Sequence, residues 1–188
     1  MFELTSDERI GLAEHVKKRV AASTHSSVLV VGTGTFGGPI DEQAAFINRM
    51  GSVCDAAVVV TSLIAAEEES DDVWRANAQA LLDATGATCL GLYECPVPYK
   101  RLLSAELLGW CAATGRFAFH KDTCCQIEQM RAKLGAVAGA GGQASRFRFF
   151  NANVETLAAS IELGGHGFSG ICNHICNHIC NHICKPHL

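Results

Sequence analysis

Leu90-Gly91-Leu92-Tyr93-Glu94-Cys95-Pro96 and Phe119-His120-Lys121-Asp122-Thr123 are the two stretches from which the fold is read. Each closes an apolar, strand-like run, the first over 88–93 and the second over 116–121, and each is followed by a segment with helical spacing. Working outward, Val28-Leu29-Val30-Val31 runs into Gly32-Thr33-Gly34, and Asp55-Ala56-Ala57-Val58-Val59-Val60-Thr61 is a second β-branched run. Continuous apolar runs of this kind predict buried parallel strands. Further strands are expected over 147–151 and 167–171.

Helical patterns fill the spaces between. Thr5-Ser6-Asp7-Glu8 has the form of a capping box, with Ile10, Ala13, Val16 and Val20 following at helical spacing. Helices are predicted over 39–50, with Pro39 in the first turn, and over 71–83, with Trp74, Ala78 and Leu81 on one face. Others open near Ser104, pass through Ile127, Met130 and Leu134, and pass through Leu157 and Ile161. The glycine- and alanine-rich stretch 136–142 has no periodicity and reads as a surface loop. Six strands alternating strictly with helices define an α/β protein with a parallel sheet, as an open doubly wound sheet or a (β/α) barrel.

With 188 residues, the chain has the length of one domain. Its 15 basic and 19 acidic residues leave a net charge of -4 without a basic stripe, which argues against nucleic acid and anionic membranes as partners. The acidic amino terminus resembles neither a secretory signal nor a basic transit peptide, and no apolar run reaches membrane-spanning length. Six of the ten cysteines are scattered through apolar segments, as reduced thiols are. A cytoplasmic location is expected.

Gly32-Thr33-Gly34-Thr35-Phe36-Gly37 matches Gly-x-Gly-x-x-Gly after a strand, a possible pyrophosphate cradle. The acid that would hold a ribose is missing, because the next strand ends in Thr61 and no carboxylate follows until Glu67. A tight turn explains the glycines as well. Lys121 alone reads as a solvated lysine or a partner of Asp122, and Tyr93 alone as a core tyrosine. Together, at equivalent strand ends, they would enter one barrel mouth. There an amine brought down by apolar burial becomes a nucleophile, aided by a cationic neighbour such as His120 or Arg116, and a phenol relays protons.

Leu92-Tyr93-Glu94-Cys95-Pro96, Phe119-His120-Lys121-Asp122-Thr123 and Gly164-Gly165-His166-Gly167-Phe168-Ser169-Gly170 resemble the dihydrodipicolinate synthase and N-acetylneuraminate lyase family of class I aldolases. The resemblance covers about residues 3 to 172, with the Gly32-Thr33-Gly34 turn and Thr61 in family order. It implies a (β/α)8 barrel of the TIM type, assembled into homo-oligomers. It also implies a Schiff base between Lys121 and pyruvate or another 2-oxo acid, with Tyr93 as general acid/base, and no metal or organic cofactor. The implied substrate contacts are Thr61, Asn151, Gly167 and Ser169, with Asn153 beside them.

Several departures shape these expectations. The family's first two strands, with a Gly-Thr-Thr-Gly-Glu loop, would lie before Met1, so about six of eight βα units are expected here, with exposed sheet edges. Thr61-Ser62-Leu63-Ile64 stands where dihydrodipicolinate synthases carry Thr-Pro-Tyr-Tyr, and Pro98 stands in place of their substrate-gripping arginine, with Lys100 and Arg101 close by. A related lyase acting on a different 2-oxo acid is therefore expected. The organisation predicted is a partial barrel over 1–171 and a tail over 172–188 built on an Ile-Cys-Asn-His repeat. That tail is read as an expanded or mistranslated tract, with a strand face of soft metal ligands as the alternative. The alternatives to the lyase are an incomplete barrel fragment that acts only by association, and a nucleotide-binding doubly wound domain.

Overall fold

The computed structural model describes residues 3–23, 27–33 and 37–170. The 172–188 repeat, residues 34–36 of the Gly-x-Gly-x-x-Gly motif and the last residue of the 167–171 strand lie outside the described residues. Six strands, β1 (Val31–Thr33), β2 (Ala56–Val60), β3 (Leu90–Tyr93), β4 (Phe117–Asp122), β5 (Arg148–Asn151) and β6 (Gly167–Phe168), alternate with helices. The helices are α1 (Ser6–Ala21), α2 (Ile40–Gly51), α3 (Asp71–Ala84), α4 (Ala105–Ala113), α5 (Ile127–Gly139) and α6 (Leu157–Glu162).

Every neighbouring pair of strands is parallel, and the order across the sheet is β1-β2-β3-β4-β5-β6. A doubly wound sheet reverses its strand order at the point where it binds a nucleotide. A sheet that never reverses curls in one direction, and the result here is an incomplete (β/α) barrel of six strands. The strand order therefore overturns the doubly wound, nucleotide-binding alternative.

Local sequence accounts for most element boundaries. The capping box forms as read, with Thr5 N–H donating to Glu8 Oε2 at 2.8 Å and Glu8 N–H to Thr5 Oγ1 at 3.3 Å. Ser70 and Ser104 accept the N–H groups of Val73 and Leu107, which starts α3 and α4. All five residues of β2 are buried because helices cover its outer face and neighbouring strands flank it. Trp74, fully buried in α3, donates its Nε1–H to Thr61 O at 2.8 Å and ties that helix to the end of β2.

Two expectations need correction. The first strand begins at Val31 rather than Val28, and the run is only partly buried: Val30 and Gly32 are buried, but Leu29 is 73% and Val31 44% exposed. Among the described residues β1 pairs on one side only, and its inner face looks into the open interior of the sheet. The stretch over 136–142 is not a loop throughout, because α5 continues to Gly139 and buries Val137. Its small residues serve packing: a Cβ on Gly109 of α4 would lie 3.2 Å from Ala136 O, so two small residues let α4 and α5 approach closely. Among the described residues, no helix is long and apolar enough to cross a membrane.

Candidate active site

Residues in a strand alternate between faces, so β3 and β4 each present two rows. Gly91 and Tyr93 on β3, with Phe119 and Lys121 on β4, turn into the concave interior with Val58, Phe150 and Phe168. Gly91 is required there: a Cβ would come within 2.1 Å of the Phe119 ring, which lies across β3 in its place. Leu92 and Glu94, with His120 and Asp122, turn the other way, under the helices, and all four are fully buried.

Tyr93 and Lys121 are register partners across the β3–β4 ladder, so their side chains leave the sheet side by side. Lys121 Nζ lies 4.3 Å from the centroid of the Tyr93 ring, over its face. Both residues are partly buried. Burial lowers the Lys121 amine below its ordinary value, with the Cys95 thiol opposing. Burial raises the Tyr93 phenol, and Cys95 adds to that. The pair stands where two cavities meet. One, of about 450 Å³, is the apolar interior lined by Val58, Phe119, Phe150 and Phe168. The other, of about 210 Å³, opens at the carboxyl ends of the strands and is lined by Lys100, Thr123 and Ser169 among others.

Of the residues picked from the sequence, the structure brings Lys121, Tyr93 and Ser169 together, since Ser169 lines both cavities. Gly167 sits opposite Phe150 in the β5–β6 register, where a Cβ would meet that ring at 3.2 Å. Thr61 and Asn151 lie away from the cavities. The Thr61 hydroxyl is fully buried and donates to Arg101 O at 2.8 Å, holding the loop before α4. Asn151 donates through Nδ2 to Thr156 Oγ1 at 3.0 Å and accepts from Asn153 N at 2.8 Å, ordering the turn after β5.

The supposed helpers of Lys121 also lie elsewhere. Arg116, at the opposite end of β4, donates to Leu82 O, Thr85 Oγ1 and Thr88 O. His120 and Asp122 are on the other face by strand alternation. Asp122 pairs with Lys133 of α5 rather than with Lys121. Lys133 Nζ lies 2.6 Å from Glu94 Oε1 and 2.7 Å from Asp122 Oδ1, and His120 Nε2 lies 3.3 Å from Glu94 Oε1. Glu94, His120 and Asp122 could converge on a metal ion, but the Lys133 ammonium already fills the position between the carboxylates. This cluster escaped the sequence reading. The signal was present in the alternation of Tyr93-Glu94 and His120-Lys121-Asp122, but Lys133 comes from a separate helix.

Among solved structures, similar folds are those of proteins with a shared architecture. A putative dihydrodipicolinate synthase family protein from Coccidioides immitis superposes with a TM-score of 0.72 at 15% identity, over 93% of this chain and 52% of that one. The fold is that of the dihydrodipicolinate synthase family. YagE, a prophage protein of that family from E. coli K12 solved in complex with pyruvate, gives 0.76 at 19% identity over 94% of this chain and 56% of that one. A 2-keto 3-deoxygluconate aldolase from Picrophilus torridus gives 0.68 at 16% identity, over 90% and 57%. The chain thus spans little more than half the length of the dihydrodipicolinate synthase-type structures it matches. No family model matches it, and no curated protein matches it by sequence.

Proposed function

We propose that this chain is a Schiff-base-forming aldolase or lyase acting on pyruvate or a related 2-oxo acid, with Lys121 as the nucleophile and Tyr93 as the general acid/base. The observation that carries the reading is the register pair itself: an amine lowered by burial, 4.3 Å from a phenol ring centroid, at the carboxyl ends of parallel strands. The neutral amine adds to the C2 carbonyl, the carbinolamine loses water, and the iminium accepts the electron pair of the carbon–carbon bond that breaks. In the synthetic direction the same iminium loses a proton to give the enamine that attacks an aldehyde. Tyr93 carries protons in these steps. The chemistry requires no metal and no organic cofactor.

Lys100 supports an acidic substrate: its ammonium is exposed at the mouth of the smaller cavity and donates to Thr123 O at 2.6 Å. Ser169 offers a hydroxyl to the same space. Free cysteines at all six described positions support a cytoplasmic location. The exposed edge at β1 supports a homo-oligomer.

The test is borohydride reduction in the presence of pyruvate, read by intact mass and peptide mapping. A reduced adduct on Lys121, absent from Lys121→Ala, is the expected result. No adduct on folded protein with pyruvate or with a panel of longer 2-oxo acids would refute the reading. It would favour a barrel fragment that acts by association.

A further inference from the structure

The cluster behind the strand ends has a geometry that bears on Lys121 without touching it. Glu94, one residue past β3, makes three bonds to the end of β4 and the residue after it: its N–H donates to Lys121 O at 3.3 Å, its Oε2 accepts from Thr123 N at 2.9 Å, and its carbonyl accepts from Thr123 Oγ1 at 2.9 Å. Its other carboxylate oxygen accepts from Leu103 N at 2.9 Å and from Lys133 Nζ. The residue before Glu94 is Tyr93, and the residue before Asp122 is Lys121. A staple at Glu94 therefore holds the register that sets the amine against the phenol ring.

The charges must also balance. Glu94, His120 and Asp122 are fully buried and Lys133 is 2% exposed. Two carboxylates and one ammonium leave one net negative charge out of water, which is costly unless a second cation is present. His120 is the group placed to supply it. The charged groups facing it are Glu94, just past β3, Asp122 from its own strand at 3.8 Å, and Lys133 from α5. β5 contributes the Phe149 ring, 5.6 Å away between centroids.

We propose that Glu94 is a positioning residue for the Tyr93–Lys121 pair, and that a proton on His120 keeps its buried cluster neutral, so that the geometry of the strand ends responds to pH. Burial works against the imidazolium, but Glu94 and Asp122 outweigh it and raise His120 above its ordinary value. When His120 loses its proton the cluster becomes net negative. The staple then loosens, Lys121 gains water, and its amine returns towards ordinary lysine behaviour. The catalytic meaning of this device rests on Lys121 being the nucleophile, but the device itself does not.

The test therefore reads the amine without a 2-oxo acid. Competitive acetylation with trace acetic anhydride, followed by peptide mapping, gives the reactivity of Lys121 from pH 6 to 10. Wild type should show, besides the rise from amine deprotonation, a lower step where His120 titrates. Glu94→Gln leaves Asp122 and Lys133 balanced with His120 neutral, so the lower step should vanish in a folded protein. His120 should then titrate at least about one unit lower by NMR, a tenfold change in its proton affinity. His120→Gln should acetylate Lys121 about tenfold more slowly than wild type near neutral pH, and without the step.

A lower step that persists in His120→Gln would overturn the proposal, as would a His120 midpoint unchanged by Glu94→Gln. If His120→Gln does not fold, Glu94→Gln decides alone. The outcomes separate from those of the imine test: a pH step without a pyruvate adduct removes the lyase and keeps the device, and an adduct without the step does the reverse.

Discussion

Replacing Lys133 by Met keeps the length and apolar stem of the side chain and removes only the ammonium. That ammonium contacts two carboxylates at 2.6 and 2.7 Å, and both carboxylates are 0% exposed. Breaking a buried ion pair by deleting one partner costs about 3 to 5 kcal/mol, because the surviving charge stays out of water. Against a total stability of about 5 to 15 kcal/mol, this is a large fraction. For a domain of this size it corresponds to a fall in melting temperature of about 6 to 20 °C. Part of the loss is recoverable, since one orphaned carboxylate can take up a proton. The destabilisation should therefore be smaller at pH 5.5 than at pH 8. The double variant Lys133→Met/Glu94→Gln leaves Asp122 opposite a protonated His120 and should be more stable than the sum of the single changes. Circular dichroism melts of the three variants at both pH values are the assay. A loss below about 1 kcal/mol for Lys133→Met, the value of an exposed ion pair, would refute the reasoning, as would strict additivity in the double variant.

Stability should pass through a maximum between the carboxylate and imidazole ranges. Burial pushes Glu94 and Asp122 up, but His120 and Lys133 more than offset it and hold both below their ordinary 4.5 and 3.8, so their contribution is present above those values and is lost as pH falls through the lowered ones. His120 is raised above 6.5, so its contribution is full below that pH and is lost as pH rises through the raised value; urea midpoints that climb steadily from pH 6 to 9 would contradict this. Gly91→Ala should cost about 1 to 3 kcal/mol, because its Cβ must displace the Phe119 ring, and should slow Lys121 trapping by pyruvate; an unchanged melt would show that the ring moves freely. Thr5→Ala removes one half of the capping box and should cost about 1 kcal/mol with no effect on Lys121 reactivity, as checked by melting and acetylation together.

Much of the fold was legible because it is written in local patterns. Caps at Thr5, Ser70 and Ser104 and the β-branched run of β2 set element types and starts to within a residue or two. The misreadings share a cause. Val28 to Val30 looked like a strand because apolar runs do not reveal whether a neighbour exists on both sides, and among the described residues β1 pairs only with β2. The Ala- and Gly-rich end of α5 looked like a loop because its helix is stabilised by contact with Gly109 of α4, which has no local signature.

The site divides in the same way. The sequence by itself determined that Tyr93 and Lys121 lie at or within one residue of the ends of consecutive strands, since apolar runs and their lengths follow from side-chain patterning alone. The alternation of elements left a doubly wound sheet and a barrel both open, because strand order depends on which crossovers pack together; the barrel was expected from the family resemblance alone, and the unreversed order of six strands that bears it out came from the tertiary structure. The sequence could not place Thr61 and Asn151 in hydrogen bonds away from the cavities, or assign Asp122 to Lys133 rather than to its neighbour Lys121. Adjacent residues in a strand point to opposite faces, and the partner that neutralises a buried carboxylate is found across space, on whichever helix the packing brings over it.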